Sequence, residues 1–278
     1  MFSTINKPLI MGILNITPDS FSDGGKFTAV DAALAQAERM LADGAGIIDI
    51  GGESTRPGSE SVDSAEQIRR VVPVITAIRQ RNDILISIDT TCSIVAKAAL
   101  DAGATLINDV SAGLDDPSIL TLAAQTKTPI ILMHSIGTPK TMQDNPHYED
   151  VVAEVLSALK QRIDAALDAG IPTQHIAIDP GIGFGKRKQD NLDLLAHLDA
   201  FVALGHAVLL GTSRKRFMGS LCDVSEPSEL VTATAVTTAL GVMAGVQMFR
   251  VHDVKENRQA LDVAWAIRQA GNRIGKIG

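Results

Sequence analysis

The 278-residue chain is 45% hydrophobic and 21% charged, which allows one large domain or two ordinary ones with ample material for a core. Its net charge of −7 argues against wrapping nucleic acid, whose binding rests on neutralising phosphates, and leaves room for a local basic site. Two cysteines, Cys92 and Cys222, exclude a disulfide framework, and no apolar run reaches the ~18 residues of a membrane helix, so the sequence reads as a cytoplasmic protein off the membrane.

In chain order, short apolar runs of β character alternate with helix-period stretches. The first run, "PLIMGIL" (8–14), gives way to "NITPDSFSDGG" (15–25), a segment too polar to fold alone and too rich in hydrogen-bonding groups for an idle connector. Val30, Ala33, Leu34, Ala37, Met40 and Leu41 then keep an i, i+3, i+4 helical stripe. "GIIDI" (46–50) precedes a second stripe of Ile68, Val71, Val72, Ile75 and Ile78. "ILISID" (84–89), "TLINDV" (105–110), "PIILMH" (129–134), "IAIDP" (176–180), "AVLLGT" (207–212) and "QMFRVHD" (247–253) follow. Such near-continuous Val, Ile and Leu is expected of parallel strands covered on both faces.

Helix boundaries are signposted. Thr28 with Asp31 and Ser64 with Gln67 have the form of capping boxes, and Asp116-Pro117 that of an N-cap followed by proline at the first helical position. Gly44, Gly103, Gly170 and Gly205 fall where a left-handed C-cap is wanted. Eight strands, each followed by a helix and unbroken by any linker, predict a single (β/α)8 TIM barrel over residues 1–278. A doubly wound open sheet is the competitor from the same alternation.

Chemistry-bearing residues sit at the C-terminal ends of these runs, where a barrel gathers its site: Asn15, Glu53, Asp89, Asn108, His134, Asp179, Lys215, Arg250 and His252. Any one of them could be a cap or a turn residue; nine together predict a polar pocket on an apolar floor. A carboxylate at the rim of a buried strand must be paired, either with a helix N-terminus or with a ligand presenting paired N–H donors, such as a 2-aminopyrimidinone edge. Asn108 suits the mixed edge of a heterocycle. Arg250 and His252 share strand parity and, with Asn15, Arg56 and Lys215, suit a phosphate or diphosphate. "TSRKRF" (212–217) reads as an anion site rather than a nucleic-acid patch. The glycines of "DPGIGFGKRK" let backbone approach a flat ligand with Phe184 as a lid, since Arg187 after Lys186 breaks the P-loop frame. Met133 is a core filler or the floor under a planar ring. His147, His175, His197, His206, Cys92 and Cys222 read as surface or packing residues.

The motifs "NITPDSFSDGG", "GAGIIDIGGESTRPG", "SIDT", "INDVS", "LMH", "IDPGIGFGK", "SRK" and "RVHDV" resemble, in order and spacing, those of the dihydropteroate synthase family, over about residues 8 to 265. That resemblance implies a barrel transferase of folate synthesis, and a target of sulfonamides. It would join 6-hydroxymethyl-7,8-dihydropterin diphosphate to p-aminobenzoate, with Mg2+ and by a dissociative displacement, giving 7,8-dihydropteroate and diphosphate. It also implies roles residue by residue. Asp89, Asn108, Asp179 and Lys215 would bind the pterin, with Asp89, Asp179 and Lys215 as the catalytic groups and Met133 beside them, and Arg250 would cover a ring face. Asn15 would serve the metal, and Thr55, Arg56, Arg250 and His252 the diphosphate. Pro57, Phe184, Lys215 and the loops at 15–27 and 51–63 would surround the p-aminobenzoate, with residues 15–25 as a lid. A homodimer through late helices such as 228–244 is implied as well. Ser135-Ile136 and Arg216 depart from the family's usual residues. A pterin-binding methyltransferase acting on methyltetrahydrofolate and a non-catalytic pterin-binding protein are the rival readings.

Overall fold

Branched and aliphatic residues at both strand faces need cover on both sides, and the chain provides it by closing the sheet on itself and ringing it with helices. A computed structural model describes residues 2–17, 26–54, 58–138 and 140–274. The strands are β1 (Leu9–Asn15), β2 (Ile47–Gly51), β3 (Leu85–Asp89), β4 (Leu106–Asp109), β5 (Ile130–Met133), β6 (Ile176–Asp179), β7 (Ala207–Leu210) and β8 (Met248–Val251). They form a closed barrel in sequence order, every neighbour parallel, with β1 paired to both β2 and β8. The eight expected runs are these eight strands, and the open-sheet alternative is excluded.

Around them lie α1 (Lys26–Ala42), α2 (Ser64–Arg79), α3 (Ser93–Asp101), α4 (Ser118–Thr126) and α5 (Val151–Asp168). Two helices, α6 (Lys188–Ala196) and α7 (Leu198–Val202), separate β6 from β7, and two more, α8 (Arg216–Cys222) and α9 (Val231–Ala244), separate β7 from β8. The last, α10 (Val254–Ile274), follows β8. Among the described residues no helix is long and apolar enough to cross a membrane.

The two helical stripes face the barrel: Ala33, Leu34, Ala37 and Met40 of α1 and Val71, Ile75 and Ile78 of α2 are buried in its outer core. Truncating one such side chain, Ile75 for example, would cost about 2–5 kcal/mol, the transfer term plus the cavity left behind. Gly44, Gly103, Gly170 and Gly205 all carry positive φ, between 80° and 112°, as the C-cap reading requires.

Two N-caps differ from expectation. α2 is capped by Asp63, whose carboxylate accepts from Glu66 N, so the box centred on Ser64 starts one residue late. Thr28 lies inside α1 rather than before it. Asp116 does cap its helix, accepting from Ser118 N at 3.0 Å while Pro117 is already helical, and its other oxygen accepts from Ser93 N across to α3. After the glycine loop α6 begins directly, opened by Arg187 N donating to Asp190 at 2.7 Å.

Strand pleating sorts the barrel interior into layers. The lower lumen is apolar, filled by Met11, Ile47, Leu106, Ile131, Leu209 and Met248 with Phe2 among them. Two residues further along the same faces come Asp49, Ser87, Asn108, Met133, Asp179 and Arg250, and beyond those Asn15, Asp89 and His252. The period of two therefore converts eight apolar strands into a barrel with a greasy base and a polar upper lumen.

Candidate active site

Arg250 sits at the centre of the polar layer. Its Nε donates to Asp49 Oδ2 and its Nη2 to Asp89 Oδ2, both at 2.6 Å. Asn108 Nδ2 donates to the same Asp49 oxygen at 3.4 Å. Burial works against the guanidinium charge, but Asp49 and Asp89 outweigh it and hold the Arg250 pKa above its usual value. Burial raises the Asp89 pKa above the carboxylate range, opposed by Arg250 and reinforced by Asp49, because one guanidinium is shared between two carboxylates. Asp49 Oδ1 and Asp89 Oδ1 are buried without a hydrogen-bond partner among the described residues.

Beside this group lie Asp179 and Lys215. A Cβ built on Gly211 would fall 3.8 Å from Arg250 Cβ and 3.9 Å from Asp179 Oδ2, so the two clusters meet at this glycine. Asp179 accepts from Gly181 N at 2.7 Å; burial raises its pKa, and Lys215 opposes the rise. Burial lowers the Lys215 pKa to about 8, with Asp179 restoring part of the loss. The Lys215 Nζ lies 4.6 Å from the Phe184 ring centroid and donates to Ile182 O, which fixes both against the glycine loop. Asp89, Asp179, Lys215 and Arg250 thus lie together at the C-terminal mouth of the barrel.

The remaining candidates divide. His252 Nδ1 is 2.9 Å from Ser213 Oγ, which ties the end of β8 to the segment after β7. Asn15 ends β1 half-buried, and its Oδ1 would lie 3.4 Å from a Cβ on Gly51; that glycine keeps open the space between Asn15 and Asp89. Met133 is buried at the end of β5, one register step from Asp179. Glu53 holds the segment before α2, accepting from Val62 N and Gln67 Nε2. Thr55, Arg56 and Pro57, and the lid residues 18–25, lie outside the described residues.

Of the basic "TSRKRF" run, Lys215 alone faces the hollow. Arg214 is paired with Asp253 at 2.5 and 2.9 Å, and Arg216 is exposed at the start of α8. His134 also differs from a ligand-facing rim residue. Burial, with Lys186 nearby, pushes its pKa down to about 3, and its ring Nδ1 meets Lys186 Nζ at 3.0 Å. Lys186, 3% exposed, also donates to Phe184 O at 3.0 Å, and burial lowers its pKa to about 7. Lys186 and Asp49 escaped the sequence reading. Asp49 had a signal, a carboxylate two residues after Ile47 on the lumen face of a strand otherwise wholly apolar; Lys186 had none.

Fold and hollow together define a (β/α)8 barrel with a polar ligand site at the C-terminal rim, the face on which such barrels keep their chemistry. A family profile described as pterin binding enzyme matches residues 11–252. The dihydropteroate synthase of Streptococcus pyogenes serotype M6 is 51% identical over 255 residues, covering 91% of this chain and 93% of the relative. A solved structure of Xanthomonas albilineans dihydropteroate synthase with 4-aminobenzoic acid superposes with a TM-score of 0.89 at 45% identity, over 95% of this chain and 94% of that one. The Yersinia pestis enzyme, solved as a sulfonamide drug complex, gives the same TM-score at 43% identity over 95% and 96%. The chain belongs to the pterin binding enzymes, and within them to the dihydropteroate synthases.

Proposed function

We propose that this chain condenses 6-hydroxymethyl-7,8-dihydropterin diphosphate with p-aminobenzoate to give 7,8-dihydropteroate and diphosphate. The observation that carries the reading is one cluster at the barrel mouth, in which Arg250 holds Asp89, Lys215 faces Asp179, and Asn108 joins Arg250 on Asp49. The carboxylates and the amide match the N–H-rich edge of a pterin, and the two cations match a leaving diphosphate. A methyl-transferring relative would leave that cation set without work, and a non-catalytic binder would not need it aimed at a departing group.

The C–O bond to the pterin methylene breaks first, diphosphate takes the electron pair, and the ring becomes cation-like. Asp89 and Asp179 stabilise that positive charge, while Lys215 and Arg250 meet the charge growing on the diphosphate. The neutral aniline nitrogen then forms the C–N bond and releases its proton to solvent or to the diphosphate, so no protein base is required. His252, at the same rim, joins the diphosphate set, Met133 floors the ring and Phe184 borders the p-aminobenzoate; the family resemblance adds Thr55 and Arg56 to the first and Pro57 to the last, all three outside the described residues.

Asn15 offers one hard amide oxygen at the rim, and among the described residues no group of three or more His, Cys, Asp or Glu could hold a metal. That donor set fits Mg2+, which keeps its waters and binds mainly through substrate phosphates with few protein oxygens. Held by Asn15 and the diphosphate, Mg2+ would neutralise charge on the leaving group. The free thiols of Cys92 and Cys222 suit a reducing compartment, and we place the reaction in the cytoplasm.

The deciding experiment mixes both substrates with Mg2+ and follows diphosphate release and dihydropteroate formation. Release is expected; folded protein that binds the pterin yet releases nothing would leave the non-catalytic reading in its place. A pH profile adds a second check. The kcat/KM for the pterin diphosphate reports groups of the free enzyme. It falls as the pH rises through about 8, where Lys215 loses its charge, and falls on the acid side as Asp89 takes up a proton above the usual carboxylate range. Lys215→Arg removes the alkaline limb while lowering the plateau; a limb that stays in place in that variant assigns it to another group.

A second copy of the chain is the partner we assign to α9 and α10. Val236, Leu240 and Met243 form an i, i+4, i+7 stripe on α9 beside Val263 and Ile267 of α10, each 47–62% exposed. Such a contiguous apolar face suits an isologous dimer. Sedimentation is expected to give a dimer, and Leu240→Glu a monomer; wild-type monomer at micromolar concentration rejects the assignment.

A further inference from the structure

Asp49 is the deepest charged group of the hollow. It lies two residues below Gly51, the register partner of Asp89, and is 0% exposed. A carboxylate there cannot reach solvent and is tolerated only because it is paired. Its Oδ2 takes both Arg250 Nε and Asn108 Nδ2. Those donors come from β8 and β4, each two strands from β2 around the barrel, so one oxygen ties the two flanks of the upper lumen.

Which arginine nitrogen it holds is informative. Nε is the stem-side nitrogen of a planar group, so its bond to Asp49 constrains the guanidinium plane and leaves Nη2 to Asp89. Asp89, one layer nearer the mouth, takes only Nη2, and the Oδ1 of both carboxylates is without a hydrogen-bond partner among the described residues. Approached from the mouth, Asp89 comes before Asp49, which is 0% exposed against 6%.

We propose that Asp49 is a positioning residue: it fixes the plane of Arg250 and the amide of Asn108, and supplies the counter-charge that lets Asp89 turn from Arg250 to the pterin. This deepens the function proposed above and rests on it. Asp49 itself touches no substrate. Without its charge, Arg250 has one carboxylate left and holds Asp89 more firmly, so the pterin must compete for it.

Asp49→Asn preserves shape and an acceptor oxygen while removing the charge. Titration of the variant with pterin diphosphate and Mg2+ by calorimetry, without p-aminobenzoate, is expected to give at least tenfold weaker binding. The KM for p-aminobenzoate should stay within about twofold, a split that general loosening of the barrel would not produce. Binding equal to wild type overturns the inference, as does an equal rise in both constants. Wild-type protein that fails to bind the pterin diphosphate rejects the functional reading instead, so the two failures are distinguishable. Should the variant not fold, the wild-type protein carries the test through the Arg250 Nε–H resonance, assigned by its loss in Arg250→Lys. That proton should remain protected from exchange when pterin diphosphate is added; its deprotection would show that the Asp49 bond does not hold Arg250 during binding.

Discussion

Replacing Asp89 by Ala is expected to lower kcat/KM for the pterin diphosphate by about 10²-fold or more, equivalent to roughly 3 kcal/mol of transition-state stabilisation. The loss follows from position and charge together. Asp89 is buried at the mouth with one oxygen on Arg250 and the other unpartnered, so it can turn an acceptor toward a ring that becomes cation-like as diphosphate leaves. An acceptor already aimed from a buried position needs little solvent reorganisation as that charge develops. Asp89→Asn should lose nearly as much, because the amide keeps the shape and not the charge. Stability should move the other way. Breaking a buried ion pair normally destabilises by about 3–5 kcal/mol through the charge left behind, but Arg250 keeps Asp49 at 2.6 Å. Burial already disfavours the Asp89 charge. Thermal unfolding of Asp89→Asn is therefore expected near the wild-type temperature or above it, the pattern of a residue retained for activity. Activity within threefold of wild type would make the carboxylate a structural one.

The sequence was most informative where local period and local chemistry agree. Each strand announces itself by a branched apolar run, and pleating then assigns every second residue to the lumen, so Asp89, Asn108, Asp179 and Arg250 could be gathered from their strand positions alone. What escaped depended on distance along the chain. Arg214 resembles an anion-binding residue until Asp253, 39 positions away, neutralises it. His134 ends its strand like a ligand-facing residue, yet Lys186, 52 positions on, holds its ring. Asp49 lies inside its strand rather than at the end, so only its parity with Ile47 marks it as a lumen residue. The misplaced cap of α2 has a smaller cause: Asp63 and Ser64 are both good caps and stand side by side, and no local rule chooses between them.

Gly181→Ala is expected to cost as much activity as Asp89→Ala, by a different route. Gly181 has φ +69°, and a Cβ there would fall 1.8 Å from the carbonyl oxygen of His134. Backbone cannot yield to that overlap the way a flexible side chain can, so the segment after β6 must move away from the end of β5. Three things move with it. Asp179 loses the Gly181 N–H that orients its carboxylate, Lys186 is drawn off the His134 ring and carbonyl, and the Phe184 ring leaves Lys215. The pterin carboxylate and the p-aminobenzoate wall are displaced together, so both KM values should rise, with kcat/KM down about 10²-fold, the scale for displaced catalytic groups. Gly205→Ala is the matched control, with φ +80° and nothing within 4 Å of the added methyl. It bears only the left-handed penalty of about 1–2 kcal/mol, a few degrees in Tm for a chain of this size, and should leave both KM values unchanged. If the two alanine variants were equally active, the close approach at His134 would have no part in shaping the site, and the glycines of this loop would be there for the turn alone.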